Sequence, residues 1–79
     1  MPIMITLNNE LLRICPKDAH KLEFSVNNGL TWLPRYISGS NIGEFIDLVD
    51  TGKELLATTS VGLCFSVNGG RSWLLRRKN

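Results

Sequence analysis

Apolar and polar residues alternate over short stretches of this chain and do not recur every three or four positions, so the pattern predicts strands and no sustained helix. In the second half the strand-like pieces fall at about Glu44 to Val49, Glu54 to Thr59, Leu63 to Asn68 and Ser72 to Arg77. Each is rich in β-branched, aromatic or other apolar residues. Between them lie Asp50-Thr51-Gly52-Lys53, Ser60-Val61-Gly62 and Asn68-Gly69-Gly70, all loaded with turn formers. In the first half the pieces are about Ile3 to Leu7, Glu10 to Ile14, Lys21 to Asn27 and Thr31 to Tyr36; the Glu10 to Cys15 run is too short to insist on a helix. The expected fold is all-β, with two four-stranded antiparallel sheets. Along the third strand of each, Leu22, Phe24 and Val26, or Leu63, Phe65 and Val67, share one face and are expected to form the core. On that basis an Arg or Glu at Phe65 should prevent folding.

The two halves are copies of one unit. Phe24-Ser25-Val26-Asn27-Asn28-Gly29-Leu30-Thr31-Trp32 returns 41 positions later as Phe65-Ser66-Val67-Asn68-Gly69-Gly70-Arg71-Ser72-Trp73. Upstream, Asn9-Glu10-Leu11-Leu12 matches Lys53-Glu54-Leu55-Leu56, and Met4-Ile5-Thr6-Leu7 is aligned with Phe45-Ile46-Asp47-Leu48. Three extra residues in the first copy fall around Cys15-Pro16-Lys17-Asp18, which reads as a longer hairpin loop. Residues 1–79 thus form one domain of two repeats, about 1–40 and 41–79. A period near 40 residues made of short strands is a signature of propeller and array architectures.

The repeated block has the chemistry of a hairpin staple. The Ser hydroxyl and the Asn side-chain carbonyl can accept from turn amides that would otherwise lack partners. Gly29 and Gly70 supply positive φ, and Trp32 and Trp73 open the return strand with a large apolar ring. At these residues the chain resembles the Asp-box, or bacterial neuraminidase repeat, with its pattern Ser-x-Asp-x-Gly-x-Thr-Trp between the third and fourth strands of a propeller blade. Ser25, Gly29, Thr31 and Trp32 match, as do Ser66, Gly70, Ser72 and Trp73 with Ser for Thr; the defining acid is replaced by Asn27 and Asn68. Asn keeps the carbonyl acceptor, so the turn should survive without the charge. The resemblance implies two propeller blades. It also implies that the boxes stabilise blades and perform no chemistry, because in sialidases they lie away from the catalytic end.

Candidate chemistry is sparse. The sialidase pattern needs three arginines around a carboxylate, a tyrosine nucleophile with a glutamate partner, and an acid/base aspartate. Here Tyr36 is the single tyrosine, and Glu44, Asp47 and Asp50 cluster in the first-strand region of copy two, with Thr6 and Asn9 opposite Asp47 and Asp50 in copy one. His20 is unaccompanied, and no catalytic set, metal-ligand spacing or cofactor motif is read. Cys15 and Cys64 occupy non-equivalent positions and read as small buried hydrophobes of a reducing compartment. With neither a signal peptide nor a run of about 18 apolar residues, the expected location is cytoplasmic, off the membrane. The net charge of +2 comes largely from Arg76-Arg77-Lys78, which reads as a solvated, frayed end. The leading expectation is therefore a non-catalytic binding or scaffold module with a glycan or protein ligand, and Tyr36, Phe45 and Asp47 as its binding candidates. A small sialidase-like glycoside hydrolase is the alternative. A nucleic-acid binder using Arg71, Arg76, Arg77 and Lys78 ranks third.

Size points to assembly. A compact chain of 8.8 kDa buries roughly 63% of its unfolded surface. Two side-by-side blades do worse, since each leaves an apolar face uncovered. Closed propellers have about four to eight blades, so the expected partner is the chain itself, in a head-to-tail ring of three or four copies, with strand exchange over Met1 to Leu7 as one way to close it. The rival is a monomer or simple dimer in which the sheets form a sandwich.

Overall fold

A computed structural model of the chain describes residues 4–7 and 9–78. Ile3, where the first strand was expected to begin, and the Met1 end of the segment expected to exchange between chains lie outside these residues. Eight strands follow one another: β1 (Met4–Leu7), β2 (Glu10–Cys15), β3 (Asp18–Ser25), β4 (Leu33–Ile37), β5 (Phe45–Asp50), β6 (Leu55–Thr59), β7 (Gly62–Ser66) and β8 (Leu74–Lys78). They form two antiparallel meanders, β1-β2-β3-β4 and β5-β6-β7-β8, with no helix among the described residues. Accordingly, no helix among these residues is long and apolar enough to cross a membrane. Eight strands thus stand where the sequence placed eight.

Strand pairing defines rows of side chains that share a face. In the first sheet Ile5, Leu12, Phe24 and Leu33 form one row; Met4, Arg13, Glu23 and Pro34 form the adjacent row on the other face. The matching rows of the second sheet are Val49, Leu56, Phe65 and Leu74, and Leu48, Ala57, Cys64 and Leu75. The sheets stack by unlike faces. Leu12, Ile14 and Leu22 of the first pack into one cluster with Leu48, Leu55, Ala57, Cys64 and Trp73 of the second, and β5 lies closest to β1, β2 and β3. In the first copy the expected core face is buried at Leu22 and half-buried at Phe24, but Val26, also expected there, is exposed. In the second, the opposite face is buried: Leu63 and Phe65 are half-buried and Val67 is 75% exposed. The reason is geometric, because two sheets have one contact between them, and stacking identical units head to tail buries opposite faces of each. The expectation that a charge at Phe65 prevents folding is corrected accordingly.

Two alignments shift as well. Met4 pairs with Arg13 as Leu48 pairs with Ala57, so Met4 corresponds to Leu48 and Ile5 to Val49; Phe45 precedes this register, separated by an irregularity between Phe45 and Asp47. Thr6 therefore matches Asp50. The three extra residues of copy one lengthen β2 and β3 around a tight Pro16-Lys17 turn, with a bulge between Ile14 and Cys15, and do not enlarge the loop. Arg76, Arg77 and Lys78 belong to β8 and are no frayed end. Both cysteines are free. Cys64 is fully buried and Cys15 only partly, and burial pushes the Cys64 thiol up against the opposing hydrogen bond with Thr59. A thiol reagent at pH 8 should therefore label Cys15 at once and Cys64 only on unfolding, at least about ten times more slowly; equal rates, read by mass spectrometry, would contradict this burial.

Candidate binding surface

The two repeated turns are closed by their own side chains. Ser25 Oγ donates to Asn27 Oδ1 at 2.8 Å and accepts from the Gly29 amide at 2.8 Å. Asn27 Oδ1 also accepts from the Thr31 amide at 3.0 Å, while Asn27 Nδ2 donates to Thr31 Oγ1 at 2.8 Å. The second turn repeats this: Ser66 Oγ to Asn68 Oδ1 at 2.9 Å, the Gly70 amide to Ser66 Oγ at 2.9 Å, the Ser72 amide to Asn68 Oδ1 at 3.0 Å, and Asn68 Nδ2 to Ser72 Oγ at 2.8 Å. The backbone amide must have an acceptor, which fixes the Asn oxygen and turns its NH₂ toward the hydroxyl. An Asp here would accept from that hydroxyl instead. Only the direction of one hydrogen bond separates the two residues, which is why the neutral amide serves. Gly29 and Gly70 have φ of 87° and 90° and lie against Trp32 and Trp73.

Asn68→Asp should thus change stability by less than about 1 kcal/mol, whereas Asn68→Ala, which takes the side-chain acceptor from the Ser72 amide and from the Ser66 hydroxyl proton, should cost about 1 to 3 kcal/mol. Urea titration of both variants measures the contrast.

The binding candidates separate. Tyr36 and Phe45 meet edge to face at 6.2 Å, and Phe45 meets Trp73 at 5.5 Å. Phe45 is 3% exposed, so its ring fills the junction between the sheets and offers no stacking platform. Asp47 is half-buried, with Oδ1 accepting from the Leu48 amide at 2.9 Å. Among the described residues, no group of three or more His, Cys, Asp or Glu is placed to hold a metal ion. His20 lies 3.6 Å from Asp18 in the first hairpin.

An open cleft of about 810 Å³ runs between the sheets at the end where the repeated turns lie. Its walls include Asn9, Glu10, Asp50, Lys53 and Arg71, so both signs of charge face it. Several are already engaged: Glu10 with Arg35 at 2.8 Å, Asp50 with the Gly52 amide at 2.9 Å, Arg71 with the Asn68 carbonyl at 3.0 Å. What the sequence reading missed is a second repeated constellation beside the turns. Arg35 lies 4.2 Å over the Phe24 ring and pairs with Glu10; Arg76 lies 4.2 Å over Phe65 and forks onto Glu54 with two contacts of 2.8 Å. The fork holds the Glu54 carboxyl below its ordinary range. The signal was present in the spacing, since Glu10 and Glu54 are equivalent, as are Arg35 and Arg76.

Compared with known family models, curated proteins and solved structures, the chain matches none.

Proposed function

We propose that this chain is a non-catalytic binding and scaffold module built from two Asp-box-like propeller blades, completed by copies of itself. The observation that carries the reading is the stacking by unlike faces. One face of each kind is used inside the chain and one of each kind remains open, so the contact that joins the sheets can be repeated between chains. A heterologous contact of this sort closes into a ring where its rotation allows, and three or four copies would supply six or eight blades. The box side chains support this division of labour, because their hydrogen-bonding groups are spent within the turns.

In such a ring the cleft beside the turns recurs once per chain. Several identical polar-rimmed sites suit multivalent capture of a glycan or a protein loop, where modest affinities combine through effective concentration. Light scattering on the size-exclusion peak at micromolar concentration tests the assembly: three or four times 8.8 kDa is expected, and a mass near 9 kDa overturns it. A glycan array, run on the same material, tests the ligand class; no retained glycan leaves protein as the ligand.

A further inference from the structure

Within one chain, the two sheets are locked by Arg35. Its guanidinium stacks on Phe24, one Nη meets Glu10 at 2.8 Å, and the other donates to the Gly69 carbonyl, in the turn of the other sheet, at 2.7 Å. The side chain is 4% exposed. Beside it Leu12 seats on Gly70, where a Cβ would come within 3.1 Å of Leu12 Cδ2. Every part of this lock is present a second time without its counterpart. Arg76 repeats Arg35, stacked on Phe65 and held by Glu54, yet its side chain is 42% exposed and both its contacts fall on Glu54. Leu56 repeats Leu12. On the far side of the molecule, Asn28 and Gly29 repeat Gly69 and Gly70, with Asn28 held at the same left-handed turn position, φ 62° against 75°.

We propose that the open face of the second sheet receives the outer face of the first sheet of another copy of this chain, in the register of the internal junction, with Arg76 donating to the Asn28 carbonyl and Leu56 seated on Gly29. This rests on the self-assembly reading above and gives it an interface. On docking, one Nη of Arg76 leaves Glu54 for the carbonyl and reproduces the single Arg35–Glu10 contact. The apolar surface available is Val49, Leu56, Phe65 and Leu74 on one face and Met4, Leu11 and Trp32 on the other, all half-buried or exposed in the lone chain. The junction between chains is more polar than the one within. Arg13 and Glu23 stand where the second sheet has Ala57 and Cys64; Arg13 contacts Glu23 at 2.9 Å and Trp32 at 4.0 Å. That is the composition of a subunit interface whose chains must also stay soluble apart. A symmetric dimer through two copies of the second sheet would instead set Arg76 and Arg77 against themselves, a like-charge juxtaposition.

Sedimentation of the wild type and three variants decides the matter. Arg76→Ala should weaken assembly by at least about ten-fold while circular dichroism stays unchanged. Phe65→Glu blocks one face and Leu11→Glu the other, so each should be monomeric alone and the two should form a one-to-one dimer when mixed. Assembly of the wild type that survives Arg76→Ala and Phe65→Glu overturns the interface and leaves self-assembly standing. Leu11→Glu that assembles like the wild type overturns the head-to-tail arrangement. A wild type that is monomeric throughout overturns both.

Discussion

Replacing Trp73 by Ala should remove a large part of the folding free energy, whereas the same change at Trp32, its equivalent in the first repeat, should remove far less. Trp73 is 4% exposed. It meets Phe45 edge to face, lies against Gly70, and donates from Nε1 to the Gly70 carbonyl at 3.0 Å. Truncating a buried Trp costs about 3 to 5 kcal/mol, against a total stability of about 4 to 12 kcal/mol for a chain of 79 residues. Trp32 is only half-buried, and its ring is covered by the Arg13 guanidinium and not by a second sheet. Its loss removes part of an apolar burial and one cation–π contact, about 1 to 2 kcal/mol together. Urea denaturation followed by far-UV circular dichroism distinguishes the two: Trp73→Ala should lower the midpoint by more than twice as much as Trp32→Ala. Equal losses would mean that the two sheets do not stack by unlike faces.

That asymmetry between equivalent residues marks the limit of what the sequence could reveal. The turns were legible because their chemistry is local. Ser25, Asn27, Gly29 and Thr31 satisfy one another within seven residues, so their types and spacing define the hydrogen bonds almost completely. The strands were legible for the same reason. The buried face of the second sheet was not, because β6 carries Leu55 and Leu56 on opposite faces, each apolar enough to be core; the neighbour decides between them, and the neighbour lies in the other repeat. Burial of the same face in both copies was the wrong assumption, because the single junction between two stacked sheets covers opposite faces of the repeated unit. The Arg35 and Arg76 locks escaped for a related reason. Each ties the fourth strand to the start of the second across the third, at Glu10 in the first sheet and at Glu54, just before β6, in the second; without strand register a Glu and an Arg so far apart look like unrelated surface charges. Arg76 in particular read as part of a solvated tail until its fork with Glu54 placed it on the sheet.

The same register sets the severest backbone requirement in the molecule, at Gly62. Gly62 begins β7 opposite Lys78. A Cβ there would collide with the Arg77 carbonyl oxygen and lie 2.8 Å from the Lys78 Cα. Both obstacles are backbone, so no rotamer change relieves them and β8 must move. β8 is the outer strand of its sheet, paired to β7 alone. Displacing its end opens the pairing that positions Arg76 over Phe65 and shifts Cys64, whose row pairs with Leu75. Gly62→Ala should therefore cost more than about 3 kcal/mol, at the upper end of what single substitutions do, and should make the buried Cys64 thiol reactive before global unfolding. Gly39→Ala is the control, because its Cβ would meet only the end of the Asn41 side chain at 3.3 Å; it should fall within about 0.5 kcal/mol of the wild type. Since copy one has Lys21 at the position of Gly62, the transplant also runs in one direction: Lys21→Gly is expected to fold, and Gly62→Lys is not. Thiol labelling across a urea series measures both effects at once. Native-like protection of Cys64 in Gly62→Ala would show that β8 can yield at its end without losing its grip on β7.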